Sequence, residues 1–176
     1  MGSEMCIRDR PLKAKSSKIS VPGNRGIKIV RTCIINRTPE DLFQFWRRFE
    51  NLPKIMEHLV SVEQISPKES RWIATTGKKE FEWTSIIINE HPNELIAWRT
   101  LDGSDVMHAG SIRFKPVPGN HGTQVTVQFE YDAPAGKVGA FFAKLFGKEP
   151  GQQLETDLQN FKTFMETGKN PLQEEK

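Results

Sequence analysis

From Leu59 to Asp132 the chain alternates apolar and polar residues with a period of two, the signature of strands with one dry and one wet face. Six runs carry it, at 59–65, 71–77, 79–90, 94–101, 106–117 and 123–132. Phe81 and Trp83 fall opposite Glu80 and Glu82, and Ile96 and Trp98 fall opposite Ala97 and Arg99. Ile112 and Phe114 alternate with Arg113 and Lys115; Val125, Val127, Phe129 and Tyr131 alternate with Thr126, Gln128 and Glu130. Turn chemistry separates the runs: Ser66-Pro67, Gly77-Lys78, His91-Pro92-Asn93, Asp102-Gly103-Ser104 and Pro118-Gly119-Asn120. Connections this short make antiparallel neighbours, because a parallel crossover needs a dozen or more residues. A further strand is predicted at 26–36, where Ile27, Ile29, Cys33 and Ile35 share one face and Val30 and Ile34 load the other.

Helical spacing replaces alternation in four places. Thr38 can cap a helix in which Pro39 occupies the first turn, Glu40 and Asp41 complement the dipole, and Leu42, Phe45, Trp46 and Phe49 form the apolar side. Asn51 can cap a second short helix over 52–59, carrying Leu52, Ile55 and Met56. Residues 137–147 place Val138, Phe141, Phe142, Leu145 and Phe146 on one side, with Lys137 and Lys144 opposite. Three readings of that segment stay open: a cover hinged at its glycines, a fixed core helix, or a basic helix lying on a membrane surface. Residues 149–168 form the longest helix, with Leu154, Leu158, Phe161, Phe164 and Met165 as its stripe. Gln153, Glu155, Asp157, Gln159 and Lys162 are assigned to its other sides. Pro150 suits the first turn, Gly168 a left-handed cap, and Pro171 blocks continuation. Such a stripe must be buried, and the preceding sheet is the available partner.

Composition narrows the picture. The 176 residues suit one domain with tails. A net charge of +3 without an arginine-rich stripe gives no support for nucleic acid. Residues 1–25 read as a disordered tail, whose first ten resemble a translated adapter and are taken as non-native; 169–176 read as a C-terminal tail. Two scattered cysteines point to a reducing compartment, hence a cytoplasmic protein. Membrane association through 137–148 is the alternative to free solution. No apolar run approaches the roughly 20 residues of a membrane span, and the chain itself says nothing about oligomeric state.

A strand, two short helices, six antiparallel strands and a long terminal helix make an α+β chain. In that order they resemble the helix-grip fold, in which a bent seven-stranded antiparallel sheet wraps the last helix. Three stretches, 35–65, 94–136 and 145–168, resemble the polyketide cyclase/dehydrase branch of the START-like (SRPBCC) superfamily, to which coenzyme Q-binding START-domain proteins are related. The resemblance covers residues 26–168. It implies a cavity between sheet and last helix for a hydrophobic guest (a lipid, a quinone or a polyketide-like molecule), lined by Trp46, Phe49, Leu52, Trp83, Trp98, His108, Gly110, Phe114, Phe129, Tyr131, Phe142, Leu158 and Phe161.

Chemistry beyond binding rests on few residues. His108 shares a strand face with Gly110, Ile112 and Phe114 and is the candidate base; Gly110 would leave room beside it for a guest. Tyr131 is its candidate acid, and the parity of Arg99 sends it to solvent. Carrier function without intrinsic catalysis is the first reading, a cyclase or dehydratase using His108 and Tyr131 the second, and a ribosome- or protein-interaction module the third. No metal or cofactor is expected: the four histidines form no close-spaced ligand pair, and GNHG at 119–122 precedes no helix.

Overall fold

The computed structural model describes residues 6–7, 26–102, 104, 107–132 and 151–173. One antiparallel sheet dominates it. The strands are β1 (Cys6–Ile7), β2 (Gly26–Ile35), β3 (Leu59–Gln64), β4 (Glu69–Thr75), β5 (Glu80–His91), β6 (Leu95–Thr100), β7 (His108–Pro116) and β8 (Thr123–Asp132). Their order is β1-β2-β8-β7-β6-β5-β4-β3. The seven long strands are the six that alternation predicts and the further one predicted at 26–36. The two-residue β1 pairs Cys6 with Cys33 and Ile7 with Thr32, inside a stretch assigned from sequence to a tail.

Because β2 lies near one edge and β3 at the other, the chain between them must cross the sheet. That crossing is α1 (Pro39–Arg47) followed by a 3-10 helix, Phe49–Lys54. Thr38 caps α1 as expected, its hydroxyl accepting from the Asp41 amide at 3.2 Å. The second element differs from the predicted 52–59 helix. It begins at Phe49, has no side-chain cap and contains Pro53. A proline there removes an amide and admits only a short, tight turn.

The terminal helix, α2 (Gln152–Thr167), ends as predicted on a left-handed Gly168, whose amide bonds to Phe164 O. It begins at Gln152 after Gly151; Pro150, expected in the first turn, lies outside the described residues. α2 is fastened to β2 and the turn after it. Lys162 Nζ donates to Ile34 O at 2.6 Å, the Asn36 amide to Glu166 Oε1 at 2.8 Å, and Arg37 Nε to Met165 O at 2.6 Å. Asn160 Nδ2 reaches Ile55 O at 2.9 Å and ties the helix to the end of the 3-10 turn.

The open parity of β2 is resolved by burial. Ile29, Cys33 and Ile35 turn inward and are buried, whereas Val30 and Ile34 are only half-buried. Register shifts between Leu59 and Ser61 and between Ile87 and Asn89 put an extra residue at Val60 and Ile88, which explains why these two apolar side chains are exposed. The convex face is drier than alternation alone implies, because Leu95, Ala97, Ala109 and Ser111 on that side are buried too. No helix among the described residues is long and apolar enough to cross a membrane.

Candidate functional site

The concave face is set by strand pairing. Trp98 faces Gly110, Gly110 faces Phe129, His108 faces Tyr131, and Trp72 faces Trp83 across neighbouring strands. Side chains opposite one another point to the same side of a sheet, so these residues share one surface. α1 and the 3-10 turn close it with Trp46, Phe49 and Leu52; α2 adds Leu154, Leu158 and Phe161, all buried. Of the thirteen residues expected to line a cavity, twelve are described, and they sit in or against the packed core between the sheet and the helices. Phe142, with the whole segment 137–148, lies outside the described residues.

Within the enclosure the rings touch in sequence. Phe49 meets Trp72 at 5.2 Å and Trp98 at 5.7 Å between centroids; Trp72 stacks on Trp83 at 6.1 Å. Trp83 meets His108 edge-on at 5.3 Å, His108 stacks on Phe129 at 5.0 Å, and Phe129 reaches Tyr131 at 6.1 Å. Trp46 abuts Phe161 of α2 at 5.2 Å. The room expected beside Gly110 is taken by Trp98: a Cβ at position 110 would lie 2.5 Å from Trp98 Cζ2.

These rings leave polar atoms stranded. Trp72 Nε1 donates to Ser70 Oγ at 2.8 Å. Trp46 Nε1, Trp83 Nε1, Trp98 Nε1, Ser85 Oγ and both His108 nitrogens are enclosed with no hydrogen-bond partner among the described residues. Each such group forfeits about 1–3 kcal/mol relative to a satisfied one, so a cluster of them in one enclosure calls for an explanation. His108 is only 4% exposed, and burial lowers its pKa from 6.5 to about 3, so the ring is neutral at physiological pH. Burial raises the Tyr131 phenol above its ordinary value, so it keeps its proton. Arg99 turns outward as expected and pairs with Asp102 at 3.2 Å.

Three inward groups escaped the sequence reading. Asp157, placed from sequence on a polar side of the helix, is only 4% exposed and belongs to the inward stripe with Leu154, Leu158 and Phe161. Burial pushes its pKa from 3.8 up to about 8, the Gln153 hydrogen bond at 2.9 Å opposes this, and nearby Glu57 adds to it. The spacing held the signal: 157 follows 154 by three and precedes 161 by four, but an apolar count passes over a carboxylate. His58 has an enclosed, unpaired Nδ1, and burial lowers its pKa to about 4 although the residue as a whole is half-buried. Arg31 stands on the inward parity of β2, 3.8 Å from Glu155. An isolated charge in an alternating strand is easily misread as an outward position.

A bent antiparallel sheet closed by two short helices and gripped by a terminal helix defines a START-like helix-grip protein. Residues 35–159 match the family model described as polyketide cyclase / dehydrase and lipid transport, and the chain belongs to that family. It is 29% identical over 123 residues to an uncharacterized 17.2 kDa protein of Streptomyces lincolnensis, a match spanning 69% of this chain and 77% of the relative. A crystal structure from Deinococcus radiodurans is 31% identical with a TM-score of 0.64, covering 81% of this chain and 99% of the other. A START superfamily protein from Mycobacterium smegmatis superposes with a TM-score of 0.63 at 14% identity, over 78% of this chain and 98% of its own, and speaks for the fold alone.

Proposed function

We propose that this protein binds and carries an uncharged hydrophobic molecule bearing carbonyl-type oxygens, held between the concave face and α2. The observation that supports this is the set of stranded polar atoms inside the enclosure. An indole N–H only donates, a neutral imidazole donates once and accepts once, and a serine hydroxyl does both. Trp46, Trp83, Trp98, His108 and Ser85 thus offer mostly donors and no fixed charge. That inventory suits ketone or quinone oxygens, and it offers no cation to offset the burial of a carboxylate or phosphate. Aromatic walls around a few placed polar groups are the usual makeup of small-molecule sites.

The test uses a water-soluble probe, 2-methyl-1,4-naphthoquinone, titrated while tryptophan fluorescence is followed. Saturable quenching is expected. Trp83→Phe and Trp98→Phe keep a ring but remove a donor, so each should weaken binding roughly three- to tenfold. Each also removes buried indole volume and leaves a cavity in a ring-packed interior, so a lower melting temperature is expected of both. Unchanged affinity in both variants would assign the indoles to core filling and remove the proposal.

A cyclase or dehydratase reading is favoured by one observation. Proton transfer near neutrality needs a group poised there, and with His108 near 3 and Tyr131 raised, neither expected residue is. Asp157, at about 8, is. In that reading Asp157 is the general acid, His108 serves only as a neutral hydrogen-bonding partner, and Asp157→Asn abolishes turnover while preserving probe binding.

A further inference from the structure

On the solvent side of α1 a hollow of about 650 Å³ opens between that helix and the last turns of α2. Its size falls within the roughly 300–1,000 Å³ range of small-molecule sites. The floor is apolar. Phe45 lies between Phe161 at 5.3 Å and Phe164 at 5.1 Å, and Phe45, Phe164 and Met165 are only half-buried. The rim is cationic, with Arg37, Arg47 and Arg48 set against the single carboxylate of Asp41.

The three guanidiniums are not equally engaged. Arg47 is held by Glu90 at 2.8 Å and by Pro67 O at 2.9 Å. Arg37 uses its Nε on Met165 O, and among the described residues neither Arg37 nor Arg48 has a carboxylate within ion-pair distance. The Arg48 guanidinium and the terminal Nη groups of Arg37 therefore stay without a carboxylate beside an aromatic floor. A guanidinium fork matches a carboxylate in geometry and charge. We propose that this hollow is a second binding site, for an amphipathic anion: an apolar chain laid on Phe45, Phe164 and Met165, its carboxylate drawn to the rim guanidiniums of Arg37 and Arg48. It differs from the enclosure in the one property that separates ligands most sharply, because its polar end is charged.

Dodecanoate below its micelle concentration is the probe, followed by amide chemical shifts of the full chain. Shifts are expected at Arg37, Phe45, Arg48, Phe164 and Met165, and binding should weaken as salt is raised. Arg37→Gln with Arg48→Gln should weaken dodecanoate roughly tenfold, about fivefold or less for each exposed charge. Arg48→Gln alone, which keeps the Arg37 tie to α2, should leave quenching by the naphthoquinone unchanged. Shifts running along the concave strands, wild-type affinity in the double variant, or binding only to anionic phospholipid vesicles would each overturn the second site. Loss of naphthoquinone binding would instead strike the carrier proposal and leave this one standing.

Discussion

Gly110→Ala is expected to lower the melting temperature by several degrees and to disturb tryptophan fluorescence. The added methyl would sit 2.5 Å from Trp98 Cζ2 and 2.7 Å from Trp98 Cε2, closer than real carbon contacts allow. Trp98 is buried and rests on Phe49 at 5.7 Å, which rests on Trp72 at 5.2 Å, so the indole has no free direction to yield. Overpacking of this kind costs about 1–3 kcal/mol, while replacing a strand glycine returns only about 0.5–1 kcal/mol. In a domain of this size each kcal/mol is worth about 2–4 °C. A thermal melt of the variant checks this. An unchanged midpoint would mean that Trp98 is loosely held and that Gly110 does leave usable space.

The second large effect concerns pH. Asp157 has a folded pKa of about 8 against an ordinary 3.8, so between those values the unfolded chain releases a proton that the folded chain keeps. The unfolded state then binds fewer protons, and stability falls as pH rises across that window. His108 and His58 act oppositely. Their folded values of about 3 and about 4 lie below 6.5, so the unfolded state binds more protons below pH 6.5 and stability is lost on acidification. Two rising contributions outweigh one falling contribution between about 4 and 6.5, and above 6.5 only the fall remains. Stability measured by urea unfolding should peak near pH 6.5 and drop toward pH 8. Asp157→Asn, which keeps an acceptor for Gln153, should abolish the upper decline and stabilise the protein at pH 7.5. A wild-type curve that is flat from pH 6.5 to 8 would show that Asp157 is ionised in the folded protein.

Holding a buried carboxyl protonated at such a cost is more usual at functional sites than in inert cores. The enclosure therefore has two kinds of polar feature: stranded donors along the sheet, and one neutral carboxylic acid on the helix that closes it. Neither carries charge at neutral pH. That shared neutrality is what joins them in one account of an uncharged guest.

The fold was legible because its signals are local and repeated. Phe81 and Trp83 against Glu80 and Glu82 fix one strand's faces, and Thr38 and Gly168 mark helix ends through backbone chemistry that needs no tertiary context. The site was legible only as a surface. Alternation places Trp83, Trp98, His108 and Phe129 on a common face, but it cannot tell that Trp98 fills the space above Gly110, because that depends on cross-strand register. Nor does it show Asp157 turning inward, since one carboxylate in a stripe costs the pattern little and the protein several kcal/mol. The outer hollow joins Arg37, Phe45 and Arg48 to Phe164 and Met165 from the far end of the chain. Only the docking of α2 on β2 brings those two stretches together.

The most direct test is native mass spectrometry of the full chain purified without detergent, with the complex dissociated in the gas phase to identify any passenger. A neutral, carbonyl-bearing hydrophobic molecule at one copy per chain, absent from the Trp83→Phe/Trp98→Phe double variant, is the predicted result. A chain that is reproducibly empty and takes up no naphthoquinone, or that retains its passenger equally in the double variant, would contradict it.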